Sequence, residues 1–121
     1  MLGKELIIDV DDIEDYSVIE TIDGIRPLME RIIENCKLNV VGKCEHQFMP
    51  YGATMLYLLS ESHLTIHTYV KDRSCSINLY TCNANTDFTE ALDIIYKFFK
   101  QPFIIKKVME RLVRNRFLMS L

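Results

Sequence analysis

The sequence predicts an α+β fold, an antiparallel-rich β-sheet with two helices on one face. Three observations carry that prediction. Apolar residues recur at helical spacing in two stretches: Ile25, Leu28, Met29, Ile32, Ile33 and then Phe88, Ala91, Leu92, Ile95, Phe98, Phe99. Between them lie four short apolar or alternating stretches bounded by turn residues. One more strand-like stretch precedes the first helix and another follows the second, so the order is βα, four strands in all between the helices, then β.

Taken in order, Lys4 to Val10 read as a first strand, with Asp9 set among aliphatic residues. The acidic stretch Asp11 to Asp15 is a surface turn or the start of a short helix. From Gly24 the pattern is helical, Pro27 fits a first turn where its missing N–H does no harm, and Asn35 to Lys37 end the helix. Leu38 to Cys44 form the second strand. Pro50-Tyr51-Gly52 is turn chemistry, leading into a third strand from Ala53 to Leu59 and a fourth from Leu64 to Val70. A polar loop, 71–74, precedes the fifth strand, Cys75 to Cys82. Asp87 with Glu90 three residues on has the spacing of a capping box for the second helix. Pro102 stops that helix, and Phe103 to Val108 read as a sixth strand. Met109 to Leu121 are expected as a short amphipathic helix or a mobile tail. A sheet with helices on one side only leaves its other face to water or to a partner.

A chain of 121 residues is one domain, large enough for a real core and too small for two. Hydrophobic residues make up 49% and charged residues 26%, as in an ordinary soluble protein. The net charge of −3 gives no general attraction to nucleic acid or anionic membranes. Half of the 14 basic residues fall in the last quarter (Lys97, Lys100, Lys106, Lys107, Arg111, Arg114, Arg116), without interleaved aromatics, which reads as a solvated face. No membrane span and no cleavable signal are expected, because the first apolar run is short and acidic residues follow it. Four cysteines, Cys36, Cys44, Cys75 and Cys82, then read as reduced thiols in a cytoplasmic protein.

Chemistry concentrates near the midpoint, at the polar corner Ser60-Glu61-Ser62-His63 between two strands. In a strand, His63, Thr65, His67 and Tyr69 share one face. Cys44, His46, His63 and His67 are metal-ligand types, but four residues along a strand separate His63 from His67 by roughly 13 Å, so no metal is expected. Cys82 and His67 form a candidate nucleophile pair, since paired strands could make them neighbours. The competing view is a strand-ending thiol and a satisfied core histidine.

A more specific signal is the run Glu61-Ser62-His63-Leu64-Thr65-Ile66-His67-Thr68, with Phe48-x-Pro50-x-Gly52 before it and Tyr80-Thr81-Cys82 after it. At this spacing the chain resembles the prokaryotic-type S-adenosylmethionine decarboxylases, pyruvoyl enzymes of spermidine synthesis, loosely from Gly3 to Lys100. The resemblance implies a proenzyme cut between Glu61 and Ser62. Ser62 Oγ would attack the Glu61 carbonyl, and elimination would leave a covalent pyruvoyl group at Ser62. Residues 1–61 would become the β chain and 62–121 the α chain.

By the same resemblance, His67 is the processing base, a role suited to imidazole, which exchanges protons near neutral pH. Thr54 falls where the family places a hydroxyl that supports the ester intermediate. The pyruvoyl ketone takes the substrate amine as a Schiff base, doing the work of pyridoxal phosphate, and Cys82 returns a proton to the substrate carbon. Phe48, Tyr69 and Lys71 fall in the substrate region, and Phe48 matches an aromatic near the adenine. The resemblance also implies a homodimer, two sheets facing across a four-layer α/β/β/α sandwich.

One departure bears on substrate. The family continues Thr-Trp-Pro-Glu where this chain has Thr68-Tyr69-Val70-Lys71, and that glutamate holds the ribose hydroxyls. Lys71 cannot accept those hydrogen bonds. Either Glu45, Asp72 or another carboxylate takes over, or the same machinery acts on arginine or ornithine. A non-catalytic paralogue subunit is the third reading, and intact Ser62, His67 and Cys82 argue against it.

Overall fold

The computed structural model describes residues 2–82, 85–100 and 102–112. Six strands, β1 (Leu2–Asp11), β2 (Val40–Gln47), β3 (Ala53–Leu59), β4 (Ser62–Tyr69), β5 (Ser74–Thr81) and β6 (Phe103–Leu112), form one sheet in the order β2-β3-β4-β5-β1-β6. Every neighbouring pair is antiparallel. The helices α1 (Ile22–Asn35) and α2 (Thr89–Phe98) cover one face. The predicted α+β architecture is the observed one. No helix among the described residues is long and apolar enough to cross a membrane.

The core lies between that face and the helices. Alternation sends Leu6, Ile8 and Val10 of β1, Met55 and Leu59 of β3, Leu64 and Ile66 of β4, and Ile77 and Leu79 of β5 inward, all buried. They meet Ile25, Leu28, Met29 and Ile32 of α1 and Ala91 and Ile95 of α2. Each such aliphatic chain removed from water contributes about 2 kcal/mol.

Several boundaries move for identifiable reasons. The first helix starts at Ile22, because Thr21 is its N-cap and accepts from the Gly24 N–H at 3.0 Å. Gly24 is set by packing: a Cβ there would lie 2.3 Å from the Val18 carbonyl oxygen. Pro27 consequently sits one turn deeper than expected, inside the helix. At the other end Lys37 adopts the left-handed conformation (φ 55°), Lys37 N–H donates to Glu34 O and Leu38 N–H to Ile33 O. That Schellman closure holds Leu38 out of the sheet, so β2 begins at Val40 and not at Leu38. The second helix begins at Thr89, whose N–H donates to the Asp87 carboxylate at 2.9 Å. Asp87 caps from one residue further out than the N-cap position expected of it, where Phe88 stands. The sixth strand does not stop at Val108: Met109 to Leu112 continue it, opposite Glu5 to Leu2. Of the expected terminal helix or tail, those four residues are strand, and 113–121 lie outside the described residues.

Candidate active site

The β3–β4 connection is as short as a hairpin allows. Leu59 pairs with Ser62, so only Ser60 and Glu61 make the turn, and the Glu61–Ser62 peptide is its last bond. The β5 strand ends alongside, and the Cys82 thiol donates to the Glu61 carbonyl oxygen at 2.6 Å. Asn39, Glu61, Ser62, Cys82 and Thr86 line a cleft of about 320 Å³ there, which also takes in Cys36 and Lys37 at the end of α1. Burial pushes the Cys36 thiol above its ordinary pKa, and the Glu90 charge adds to that. Cys75, buried in the core, is pushed up further by desolvation, with Asp9 and Asp11 adding to it.

A second cleft, of about 390 Å³, opens at the far end of β4. Its walls carry Phe48, Thr54, His67, Tyr69, Lys71 and Asp72. Thr54 and His67 are cross-strand partners, with Thr54 Oγ1 3.0 Å from His67 Nδ1. The loop carrying Phe48 is tied down from three sides. Phe48 N–H donates to Gly52 O at 2.8 Å, Gly52 N–H donates to Glu20 O at 2.7 Å, and the Gln47 amide donates to the Glu20 and Gly52 carbonyls. Gly52 has φ 112°, a conformation that other residues seldom adopt. Val70–Asp72 form a 3₁₀ turn that sets Lys71 and Asp72 side by side at the mouth. Glu45, the other carboxylate considered for the missing glutamate, is elsewhere: it lies on the helix side, where Arg26 clasps both its oxygens at 3.0 and 3.2 Å.

The two clefts do not meet within one protomer. Ser62 and His67 are five residues apart on β4, roughly 16 Å at the usual strand rise, and have opposite parity along it. Ser62 shares the parity of Leu64 and Ile66, on the helix side, whereas His67 is exposed on the open face. His67 pairs with Ser76 and Cys82 lies beyond the end of β5, so the Cys82–His67 neighbour pair considered from sequence does not form within one protomer.

Between the clefts a polar chain crosses the open face of the sheet. The Asn78 amide donates to the Glu5 carboxylate at 2.8 Å, which leaves its oxygen to accept from His63 Nε2 at 2.6 Å. Arg111 donates to the other Glu5 oxygen at 2.6 Å. The Asn78 bond, and after it the Arg111 guanidinium, hold the Glu5 carboxyl below its ordinary pKa against the opposing effect of burial. Around this chain lie exposed apolar side chains, among them Leu56 at 41% and Leu58 at 58%.

Sequence reasoning missed two residues and one contact. Asn39 and Asn78 stand in no motif, and the Cys82–Glu61 contact joins residues 21 positions apart. The Asn78 position on a polar strand face was the only available sign.

Comparison with known proteins gives one answer. Residues 4–112 match the family model described as S-adenosylmethionine decarboxylase. The chain is 34% identical over 110 residues to the S-adenosylmethionine decarboxylase proenzyme of Persephonella marina, covering 91% of this chain and 82% of that one. It is 31% identical over 113 residues to S-adenosylmethionine decarboxylase proenzyme 2 of Bacillus cereus, covering 93% and 89%. Among solved structures, the adenosylmethionine decarboxylase of Aquifex aeolicus superposes with a TM-score of 0.84 at 29% identity, over 95% of this chain and 94% of that one.

Proposed function

Since the chain belongs to the S-adenosylmethionine decarboxylase family, a family of pyruvoyl-dependent carboxy-lyases, we propose that it is a proenzyme that cuts itself between Glu61 and Ser62. Its mature form decarboxylates S-adenosylmethionine for polyamine synthesis. The observation that carries this reading is the Cys82 thiol 2.6 Å from the oxygen of the Glu61 carbonyl, at a two-residue turn that ends on a serine.

Self-cleavage needs a hydroxyl beside an exposed carbonyl and a donor where negative charge develops. Ser62 Oγ adds to the Glu61 carbonyl carbon, and Cys82 donates to the oxygen as it becomes anionic. The Glu61–Ser62 C–N bond breaks, the hydroxyl proton passes to the nitrogen, and an ester joins Glu61 to Ser62 Oγ. A base then removes the Ser62 α-proton. The Cβ–O bond breaks, Glu61 leaves as a carboxylate, and addition of water with loss of ammonia leaves the pyruvoyl group at position 62. That group supplies a ketone to the substrate amine and takes up the electrons released with CO₂. Cys82 remains beside it and can hand a proton to the substrate carbon.

His67, held by Thr54, suits the base role, but it stands roughly 16 Å along the strand from the Ser62 of its own protomer. A twofold homodimer that stacks the open sheet faces would bring the partner's Thr54–His67 pair, which lies on that face, to the β3–β4 turn at the end of the sheet, where the Glu61–Ser62 peptide is the last bond of the turn. Exposed Leu56 and Leu58 on that face support it, since an α/β/β/α sandwich would cover them.

In the second cleft Phe48 and Tyr69 supply ring surface for a nucleobase. Asp72, next to Lys71 on the same wall, supplies the carboxylate that ribose hydroxyls need. No observation favours arginine, ornithine or a non-catalytic role.

Intact mass of the purified protein under denaturing conditions tests the reading. Two chains, 1–61 and 62–121, are expected, the second lighter by one ammonia than a simple hydrolysis product. CO₂ release from labelled S-adenosylmethionine then tests the substrate. A single uncut chain, or cut protein that releases CO₂ only from arginine or ornithine, overturns the corresponding part.

A further inference from the structure

The self-cleaving turn is gripped from a third side, by the connection between α1 and β2. The register of β2 against β3 shifts between Val40 and Gly42, because Val41 is an extra residue, bulged out and 58% exposed. With regular pairing downstream of Gly42↔Leu58, Asn39 would stand opposite Glu61. The bulge gives Val40↔Leu59 instead and moves Asn39 opposite Ser60. There Asn39 makes two contacts with one residue. Its carbonyl accepts from Ser60 N–H at 3.1 Å, and its side-chain amide donates to Ser60 Oγ. The mount is rigid, since the Leu38 N–H is tied to Ile33 O by the Schellman closure of α1.

We propose that Asn39 is a positioning residue for self-cleavage: by clamping Ser60, it fixes the plane of the following Glu61 carbonyl relative to the Cys82 thiol and the Ser62 hydroxyl. The inference rests on the proposed self-cleavage. The carbonyl belongs to a turn of two residues, so rotation at Ser60 swings the scissile peptide directly. Cys82 holds the carbonyl oxygen by one hydrogen bond, which leaves rotation about that bond free, and the Asn39 clamp removes it. Attack on a carbonyl depends steeply on alignment, so a small rotation is expressed as rate.

The experiment follows cleavage of freshly synthesised full-length chain on a denaturing gel. Asn39→Ala is expected to cut about tenfold more slowly than wild type. Ser60→Ala removes the same side-chain bond from the other end, on an exposed residue, and keeps the test available if Asn39→Ala does not fold. It is expected to slow cleavage equally. The double variant is expected to be no slower than either single one, because both remove one interaction. Ser60→Thr keeps the hydroxyl acceptor and is expected to retain most of the rate. Cleavage of both single variants at the wild-type rate overturns the inference, as do multiplying effects in the double variant or a Ser60→Thr as slow as Ser60→Ala. An uncut wild-type chain overturns the self-cleavage reading itself and this inference with it.

Discussion

The Cys82 thiol and the Glu61 carbonyl oxygen lie 2.6 Å apart, so the residue matched to a proton donor already touches the peptide proposed to be cut. Cys82→Ala removes that donor. Self-cleavage is expected to slow about a hundredfold, the usual loss when one oxyanion donor is deleted. Cys82→Ser, which still donates, is expected to cut faster than the alanine variant. A time course of chain separation on denaturing gels measures both.

Thr54 and His67 meet at one end of β4, and Ser62 and Cys82 line one cleft at the other, which leads to a complementation test. Ser62→Ala cannot form the pyruvoyl group, and His67→Ala is expected to process slowly or not at all. Co-expressed, they are expected to form mixed dimers in which one composite site has both an intact Ser62 and an intact partner His67. Cleavage of the His67→Ala chain should reappear in the mixture. Its absence in mixed dimers isolated with two different tags would rule out the shared site.

Asp72 beside Lys71 predicts a split in the kinetic constants. Asp72→Asn is expected to raise the KM for S-adenosylmethionine about tenfold with little change in kcat, since a lost hydrogen bond to a charged acceptor costs about 1.5 kcal/mol. Steady-state CO₂ release decides it. Glu45→Gln, on the helix side, is expected to leave KM unchanged.

Glu5 gives a pH dependence with a definite sign. Its pKa is lowered in the folded protein, chiefly by Asn78, so its contribution to stability is present above the ordinary value of 4.5 and is lost as pH falls through the folded one. The melting temperature of wild type is expected to drop between pH 5 and pH 3 more steeply than that of Glu5→Gln. Thermal melts across that range check the slope.

Tyr57 carries a buried hydroxyl with no hydrogen-bond partner among the described residues. Tyr57→Phe removes a desolvated polar group and leaves the ring packing in place. It is expected to be neutral or to stabilise by up to about 1 kcal/mol, read from the urea midpoint.

The sequence made the architecture legible because its signals are periodic. The alternation Leu64, Ile66 and the stripe Ile25, Leu28, Met29, Ile32 each follow from a burial pattern that local spacing records. Boundaries were less legible where capping chemistry decided them. Thr21 carries no hydrophobic signal, and Lys37 occupies a left-handed position where glycine would have been the cue. The site residues Ser62, His67 and Cys82 were visible through a motif, yet their separation into two clefts was not. A motif records spacing along the chain, whereas the side of the sheet that each residue faces depends on register. Asn39 was illegible because its place opposite Ser60 comes from one bulged residue, Val41, in an ordinary-looking apolar run.

The strand order has a consequence for the proposed cut. Residues 1–61 contain β1, β2 and β3, and the remainder contains β4, β5 and β6. In the sheet, however, β1 is inserted between β5 and β6, and β3 abuts β4. A cut after Glu61 therefore leaves two polypeptides dovetailed along three ladders, β3–β4, β5–β1 and β1–β6. Neither piece can withdraw without stripping a central strand of hydrogen bonds from both sides. The sheet would be its own fastening, and the covalent link between the halves would be dispensable once folding had threaded one through the other.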